Sequence, residues 1–171
     1  AGGGRVGALL ISGGEILAAL DAGTDWPEGL EVRDLAGASV IPGLIDSHVH
    51  LYHSGTTWWV GDTVADNLRS TLYWGVTGVM DVGAPEVIFA LRDRVAAGEL
   101  LGPRIAATGP FITAEGSHPC ETGYDRDLCV FVDGDGAEQA AALGDAGADW
   151  IKVGLADNGF TDDLTPRLDL A

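Results

Sequence analysis

Strand and helix signals alternate along residues 42–171, and no other feature constrains the fold of this chain as strongly. Candidate strands lie at 44–50, 76–82, 104–109 and 150–155. Between the first two, Val64, Leu68 and Leu72 recur at the spacing of one helix face. Strands that alternate with helices favour a parallel sheet with helices packed against it. The sequence therefore predicts an α/β fold.

Turn and capping residues mark the ends of three predicted helices. Asp62 can cap the first helix, and Gly75 ends it. Pro85 fits the first turn of the second helix, and Gly98 follows its last turn. The third helix, at 137–146, is rich in alanine, which predicts close packing on the sheet.

The first forty residues carry a different pattern, that of short strands separated by turns. The predicted strands lie at 6–11, 15–20, 31–34 and 39–41. Gly13 and Gly14 form a turn between the first two, which predicts a β-hairpin. We expect a separate domain at 1–41 and no catalytic residue in it.

Two histidines one residue apart, His48 and His50, end the first strand of the α/β region. Side chains alternate along a strand, so both imidazoles are predicted on one face and Val49 on the other. Neutral imidazole is the commonest protein ligand of zinc. The apolar run 44–45, of the kind that lies buried in a parallel sheet, favours a metal site over two histidines at a solvated strand end.

Lys152 is the single lysine among nine basic residues, and it interrupts an apolar run at 150–155. Lysine is rarely buried without a partner or a purpose. Burial favours the neutral amine, which can react with carbon dioxide to give a carbamate that bridges two metal ions. The alternative is an ion pair between Lys152 and a buried acid, Asp81 or Asp157.

The segment 42–50, Pro-Gly-Leu-Ile-Asp-Ser-His-Val-His, resembles the first-strand motif of the amidohydrolase superfamily. Stretches at 75–83, 102–110 and 147–153 agree with its imidazolonepropionase-like and prolidase-like members. The resemblance implies a (β/α)₈ barrel with one or two metal ions at the carboxyl ends of its strands. It also implies that 1–41 is the N-terminal part of a small β-sandwich.

The length of the chain limits how much of that architecture it can contain. A complete barrel needs about 250 residues, whereas 171 are present and the first forty precede the barrel. The four candidate strands would make 42–171 the N-terminal half of the barrel. By resemblance, two further histidine ligands and the general-base aspartate would lie beyond Ala171. We therefore expect the isolated chain to be a weak metal binder without useful turnover.

The resemblance implies hydrolysis of an amide or peptide-like carbon–nitrogen bond by a metal-bound hydroxide. His48 and His50 would hold the first zinc ion, and carbamylated Lys152 would bridge to a second. The predicted substrate is a dipeptide or N-acyl amino acid, with Xaa-Pro cleavage as one version. One alternative is a single-metal enzyme for a cyclic amide such as an imidazolone. Another is a non-catalytic chain that uses open barrel edges to assemble with a second chain.

Weaker signals indicate residues that contact substrate. His53 follows the ligand strand on a loop, where a solvated histidine is the alternative. His118 lies in a loop that the resembled family places over the active site. Asp46 shares the face of the histidine pair and is predicted to orient a ligand or fill a polar layer. Aromatic candidates for the pocket mouth, with simple packing as the alternative, are Tyr52, Trp58 and Trp59.

Charge and cysteine content exclude several other classes. A net charge of −17 argues against nucleic-acid binding, which needs a basic surface. No apolar run reaches the ~18 residues of a membrane span. Cys120 and Cys129 are too few for a disulfide scaffold and favour free thiols in a reducing cytoplasm, although a bridge between them and an exported protein both remain open.

Overall fold

The computed structural model describes residues 7–52, 63–120, 126–133 and 135–154. The chain divides into two compact units, Ala1–Ile41 and Pro42–Ala171. In chain order the strands are β1 Ala8–Ser12, β2 Glu15–Leu20, β3 Leu44–Val49, β4 Val76–Asp81, β5 Arg104–Ala107, β6 Phe111–Thr113 and β7 Cys129–Phe131. The helices are α1 Val64–Tyr73, α2 Val87–Ala96 and α3 Ala137–Asp145, with a short 3₁₀ turn at Arg126–Leu128.

The first unit contains the predicted hairpin, in which β1 and β2 pair antiparallel. Its two turn residues, Gly13 and Gly14, have φ angles of 60° and 81°, which glycine adopts without strain. The strands predicted at 31–34 and 39–41 are wrong, because this stretch is irregular. Asp34 accepts a hydrogen bond from the Ala36 N–H at 2.7 Å and Ala36 has a φ of 51°, so the chain turns there instead of extending.

In the second unit, β3, β4 and β5 form a parallel sheet in that order, which confirms the predicted α/β fold. Helices α1 and α2 connect these strands and bury apolar side chains against the sheet. The central members of this core are Leu68, Val79, Ile88, Leu91 and Ile105. Within the described ranges, no helix is both long enough and apolar enough to cross a membrane.

The helix predictions are close to the observed bounds. Helix α1 begins at Val64 with Thr63 at its N-cap, whereas the predicted cap Asp62 lies outside the described residues. Gly75 and Gly98 follow α1 and α2 with φ angles of 85° and 76°. Because a side chain at such angles is strained, glycine ends both helices.

The prediction of a buried Leu44-Ile45 run is wrong. Leu44 is 54% exposed and Ile45 is 74% exposed. Both lie on β3, which is the outer strand of this sheet within the described residues and has β4 as its neighbour. Only the carboxyl end of β3 reaches the apolar core, where Val49 packs.

Of the fourth predicted strand, 150–155, the described residues 150–154 form one bridge, between Val153 and Ile112. The Ile112 N–H donates to the Lys152 carbonyl, and the Gly154 N–H donates to the Ile112 carbonyl. Two further strands, β6 and β7, were not predicted, because segments of three residues carry no readable periodicity.

The expectation of two free thiols is also wrong, because Cys120 and Cys129 form a disulfide. Strand β7 begins at Cys129 and runs parallel to β6, with Cys129 opposite Phe111. The two cysteine Cα atoms lie 6.5 Å apart, a separation that a disulfide can bridge. Both cysteines are buried.

Candidate metal centre

The two histidines at the end of β3 lie side by side. The ring centroids of His48 and His50 are 5.4 Å apart and the ring planes are inclined by 75°. Between Asp46 and Val49, β3 contains one residue more than the facing part of β4, which is a β-bulge. The Asp46 carboxylate accepts a hydrogen bond from the His48 N–H at 3.1 Å, so it holds the backbone within the bulge.

The imidazole of His50 is held by a backbone carbonyl. Its Nδ1 lies 3.1 Å from the carbonyl oxygen of Gly83. A carbonyl oxygen only accepts hydrogen bonds, so in this contact Nδ1 carries the hydrogen and Nε2 carries the lone pair of the neutral ring. Metal-ligating histidines usually donate their second ring N–H to such an acceptor. The arrangement of His50 therefore suits a metal ligand.

Asp81, the last residue of β4, is completely buried beside this histidine. Its carboxylate accepts hydrogen bonds from the Leu51 N–H at 2.7 Å and the Gly83 N–H at 3.1 Å. Burial raises the pKa of Asp81, while these two hydrogen bonds and the charge of His50 oppose the rise. In the sequence, Asp81 stands out only as an alternative partner of Lys152. The signal that could have shown its role is an acid that ends an apolar strand and is followed two residues later by glycine.

Phe111 is a second residue that sequence reasoning missed. Its ring stacks on His50 with a centroid distance of 6.4 Å and an angle of 21°. The Nζ atom of Lys152 lies 5.8 Å from the centroid of the same ring. Phe111 therefore brings His50 and Lys152 against one aromatic side chain. A single phenylalanine in a three-residue strand gives no sequence signal for this role.

Lys152 is half-buried, and the alternative in which it pairs with Asp81 is wrong. Both Asp81 oxygens accept backbone hydrogen bonds, and the described residues contain no ion pair between the two side chains. The other proposed partner, Asp157, lies outside the described residues. Carbamylation of Lys152 stays a prediction.

The donor set of this site fits part of a metal centre. Two imidazoles with ring centroids 5.4 Å apart, one of them oriented through its second nitrogen, are suitable ligands for zinc. In the part of the chain that the structure describes, no three His, Cys, Asp or Glu side chains lie close enough to hold one metal ion. His48 and His50 would therefore be two ligands of a set that needs more.

The segment that carries Lys152 is held against β5 by a charged contact. The Arg92 Nη1 donates to the Gly147 carbonyl at 2.6 Å and to the Asp149 carboxylate at 2.9 Å. The same Asp149 carboxylate accepts a hydrogen bond from the Ala107 N–H at 2.9 Å. Helix α2, strand β5 and the approach to Lys152 are thereby joined by one arginine and one aspartate.

A buried hydroxyl links the His118 loop to the Lys152 segment. Thr113 Oγ1 lies 3.1 Å from the His118 carbonyl and 3.3 Å from the Gly154 carbonyl, either of which can accept its hydrogen. A Cβ added to Gly154 would lie 2.8 Å from the His118 carbonyl oxygen, so only glycine fits. The His118 side chain is exposed.

The remaining substrate-contact candidates are Tyr52 and three residues outside the described ranges. Tyr52 is buried in the main apolar core. Burial raises the pKa of its hydroxyl; Arg94 lowers that pKa and Asp81 raises it further. The other three candidates lie outside the described residues and are His53, Trp58 and Trp59.

Several solved structures share this fold. One is a prolidase crystallised with N-methylphosphonate-L-proline, with a TM-score of 0.72 and 27% sequence identity over 92% of this chain and 43% of that chain. Another is a Xaa-Pro dipeptidase with bound methionine, with a TM-score of 0.70 and 27% identity over 85% of this chain and 41% of that chain.

Sequence comparison adds curated relatives and a family. An allantoinase from Streptomyces avermitilis is 34% identical over 78 residues, which are 46% of this chain and 17% of that protein. A dihydroorotase from Desulforapulum autotrophicum is 38% identical over 72 residues, which are 42% of this chain and 16% of that protein. Residues 39–169 match the model of the amidohydrolase family.

The chain therefore belongs to the amidohydrolase family, which is generally metal-dependent. It spans less than half of the length of the solved structures named above and about a sixth of the length of the curated relatives.

Proposed function

We propose that this chain supplies the first metal ligands of a hydrolase that cleaves a carbon–nitrogen bond in an amide or peptide-like substrate. The observation that carries the proposal is the pair His48 and His50, with rings 5.4 Å apart and with His50 held through Nδ1 by the Gly83 carbonyl. Family membership supports the same chemistry.

A few side chains have separate roles in the proposed site. His48 and His50 would hold the first zinc ion, and Lys152, as a carbamate, would hold a second beside it. When bound, such an ion lowers the pKa of a water molecule and polarises the scissile carbonyl. Phe111 provides an apolar wall next to His50 and Lys152, which limits water on that side. His118, His53 and Tyr52 remain the proposed substrate contacts, and the general base would lie beyond Ala171.

We further propose the architecture in which such a site is usually built. The three strands of the parallel sheet and the segment around Val153 would be the first four strands of a (β/α)₈ barrel, with the histidines at their carboxyl ends. Residues 1–41 would be the N-terminal part of a separate small β-sandwich. The solved structures that resemble almost the whole chain support this assignment.

A dipeptide or N-acyl amino acid is the favoured substrate class. Its support is the likeness to a prolidase and a Xaa-Pro dipeptidase, which extends over 92% and 85% of this chain. The second candidate is a cyclic amide, because allantoin and dihydroorotate, after which the curated relatives are named, are ring amides. An unmodified Lys152 in the metal-loaded protein would favour this second candidate and a single metal ion.

The deciding experiment is a substrate comparison with the full-length natural protein loaded with zinc. Xaa-Pro dipeptides, N-acyl amino acids and cyclic amides are assayed in parallel, with the doubly substituted protein His48→Ala/His50→Ala and the surface variant Asp66→Asn beside the wild type. We expect turnover of one class, its loss to background in the histidine variant, and full activity in Asp66→Asn. Turnover that survives loss of both histidines would refute the proposed metal site.

A non-catalytic chain that assembles with a second chain is the candidate from another class. The exposed apolar residues of β3 support it, because an unpaired strand edge can pair with another molecule. Absence of turnover in every substrate class, together with an assembly that forms without metal, would favour it.

A further inference from the structure

One buried carboxylate holds the backbone on two sides of His50. Asp81 accepts the N–H of Leu51, the residue that follows His50, at 2.7 Å. Its other oxygen accepts the N–H of Gly83, whose carbonyl in turn holds the His50 ring at 3.1 Å. Asp81 therefore forms hydrogen bonds both with the main chain next to His50 and with Gly83, the residue whose carbonyl contacts the His50 ring.

The environment of Asp81 makes this arrangement costly unless it serves a purpose. Its side chain is completely buried, and within the described residues no arginine or lysine forms an ion pair with it. A buried carboxylate loses its hydration, and the backbone hydrogen bonds replace only part of it. An apolar residue would fill the end of β4 at lower cost but could not accept the two N–H groups that Asp81 holds.

Phe111 also restricts Gly83. A Cβ built on Gly83 would overlap Cε2 of the Phe111 ring, so the backbone packs directly against this ring. Gly83 thus has Asp81 at its N–H, His50 at its carbonyl and Phe111 at its Cα. The carbonyl oxygen has little freedom to turn away from the imidazole.

We propose that Asp81 is a positioning residue that fixes His50 in the Nδ1–H tautomer through Gly83, so that Nε2 is presented as the metal donor. The tautomer of His50 concerns the metal-free chain and does not depend on the proposed function. The statement about metal binding rests on the function proposed above. The mechanism is geometric, because a carbonyl held in place accepts only from a protonated Nδ1.

Nitrogen NMR of the histidine rings in the metal-free chain tests the first statement. In the wild type, at a pH where the rings are neutral, we expect His50 to be protonated at Nδ1. In Asp81→Asn, whose amide cannot accept from both N–H groups, we expect a substantial Nε2–H population at His50 and unchanged signals at His118. The surface variant Asp66→Asn should match the wild type.

Two outcomes would overturn the proposal. Protonation of His50 at Nε2 in the folded wild type contradicts it directly and does not depend on any variant folding. If His50 keeps the Nδ1–H tautomer in a folded Asp81→Asn protein, the Gly83 carbonyl orients the ring without Asp81.

Calorimetric titration with Zn²⁺ alone tests the second statement. Loss of a partner that orients a ligand weakens metal binding by about 10–100-fold, and we expect a loss of that size in Asp81→Asn. The variant His48→Ala/His50→Ala shows separately whether the proposed function holds. If zinc binding is the same with and without the two histidines, the metal site is wrong, while the NMR result on the tautomer is unaffected. If zinc needs the histidines but binds Asp81→Asn as tightly as the wild type, Asp81 does not position the donor.

Discussion

At the scale of single residues, Gly83 shows how a residue without a side-chain carbon can determine the geometry of a site. Its N–H donates to Asp81, its carbonyl contacts the His50 ring and its Cα packs against Phe111. None of these three residues is adjacent to Gly83 in sequence. Its backbone angle is not what requires glycine, since Gly83 is not among the glycines with positive φ. The requirement is space next to the Phe111 ring.

Gly83→Ala tests that requirement. The added methyl group would overlap the Phe111 ring, and overpacking of this kind costs about 1–3 kcal/mol. We expect the free energy of unfolding, measured by urea denaturation, to fall by that amount.

The matched control is Gly144→Ala, at a helical position in α3 with nothing within 4 Å of the added Cβ. Alanine is favoured over glycine in a helix by up to about 1 kcal/mol, so this variant should be at least as stable as the wild type. Equal stability of the two variants would show that Phe111 does not restrict Gly83.

At the scale of elements, long-range polar contacts hold together segments that are short and weakly predicted. Arg92 on α2 reaches Gly147 and Asp149, and the disulfide joins the loop before Cys120 to β7. The Arg92 contacts support the stretch that carries Lys152, for which the described residues show one bridge to β6.

Arg92→Ala should destabilise the chain by about 1–3 kcal/mol, because the hydrogen bonds of its charged guanidinium to the half-buried Gly147 carbonyl and to the Asp149 carboxylate would both be lost. The control is Arg69→Ala, which removes a pair with Asp66 in which the side chains are 58% and 77% exposed. Exposed pairs of this kind contribute about 0.3–0.5 kcal/mol. Denaturant unfolding measures both, and a similar small loss in the two variants would mean that the Arg92 contact is not structural.

Removal of the disulfide should also lower stability. A closed loop of this length, with a sequence separation of 9, restricts the unfolded chain by about 2–3 kcal/mol. We expect a dithiol reductant to lower the denaturation midpoint of the wild type and to leave that of Cys120→Ser/Cys129→Ser unchanged. A midpoint that does not respond to reductant in either protein would contradict the prediction.

At the scale of the whole molecule, the described part of the sheet in the second unit has an apolar strand, β3, on its outer side. Leu44 and Ile45 are both exposed on β3, whose hydrogen-bonded neighbour in the sheet is β4. Exposed apolar edge strands promote association through strand pairing and apolar contact.

Ile45→Lys tests whether this edge drives association of the chain. We expect the average mass of the wild-type chain in light scattering to rise with concentration, and the substitution to reduce that rise. Leu101→Lys is the control, because Leu101 is 66% exposed but lies outside the strands. If both lysine variants behave like the wild type, the β3 edge does not mediate association.

The sequence by itself determined the alternation of strands and helices and the presence of the histidine pair. These features depend on local periodicity and on turn residues such as Gly13, Gly75 and Gly98, whose conformational freedom is a property of the residue. Only the tertiary structure decided which residues surround His50. Its contacts with Gly83 and Phe111 depend on the bulge in β3 and on the parallel register of separate strands, and neither can be read from periodicity. The role of Asp81 and the Cys120–Cys129 disulfide could not be predicted from periodicity either. Contacts between separate segments form only once the strands have paired.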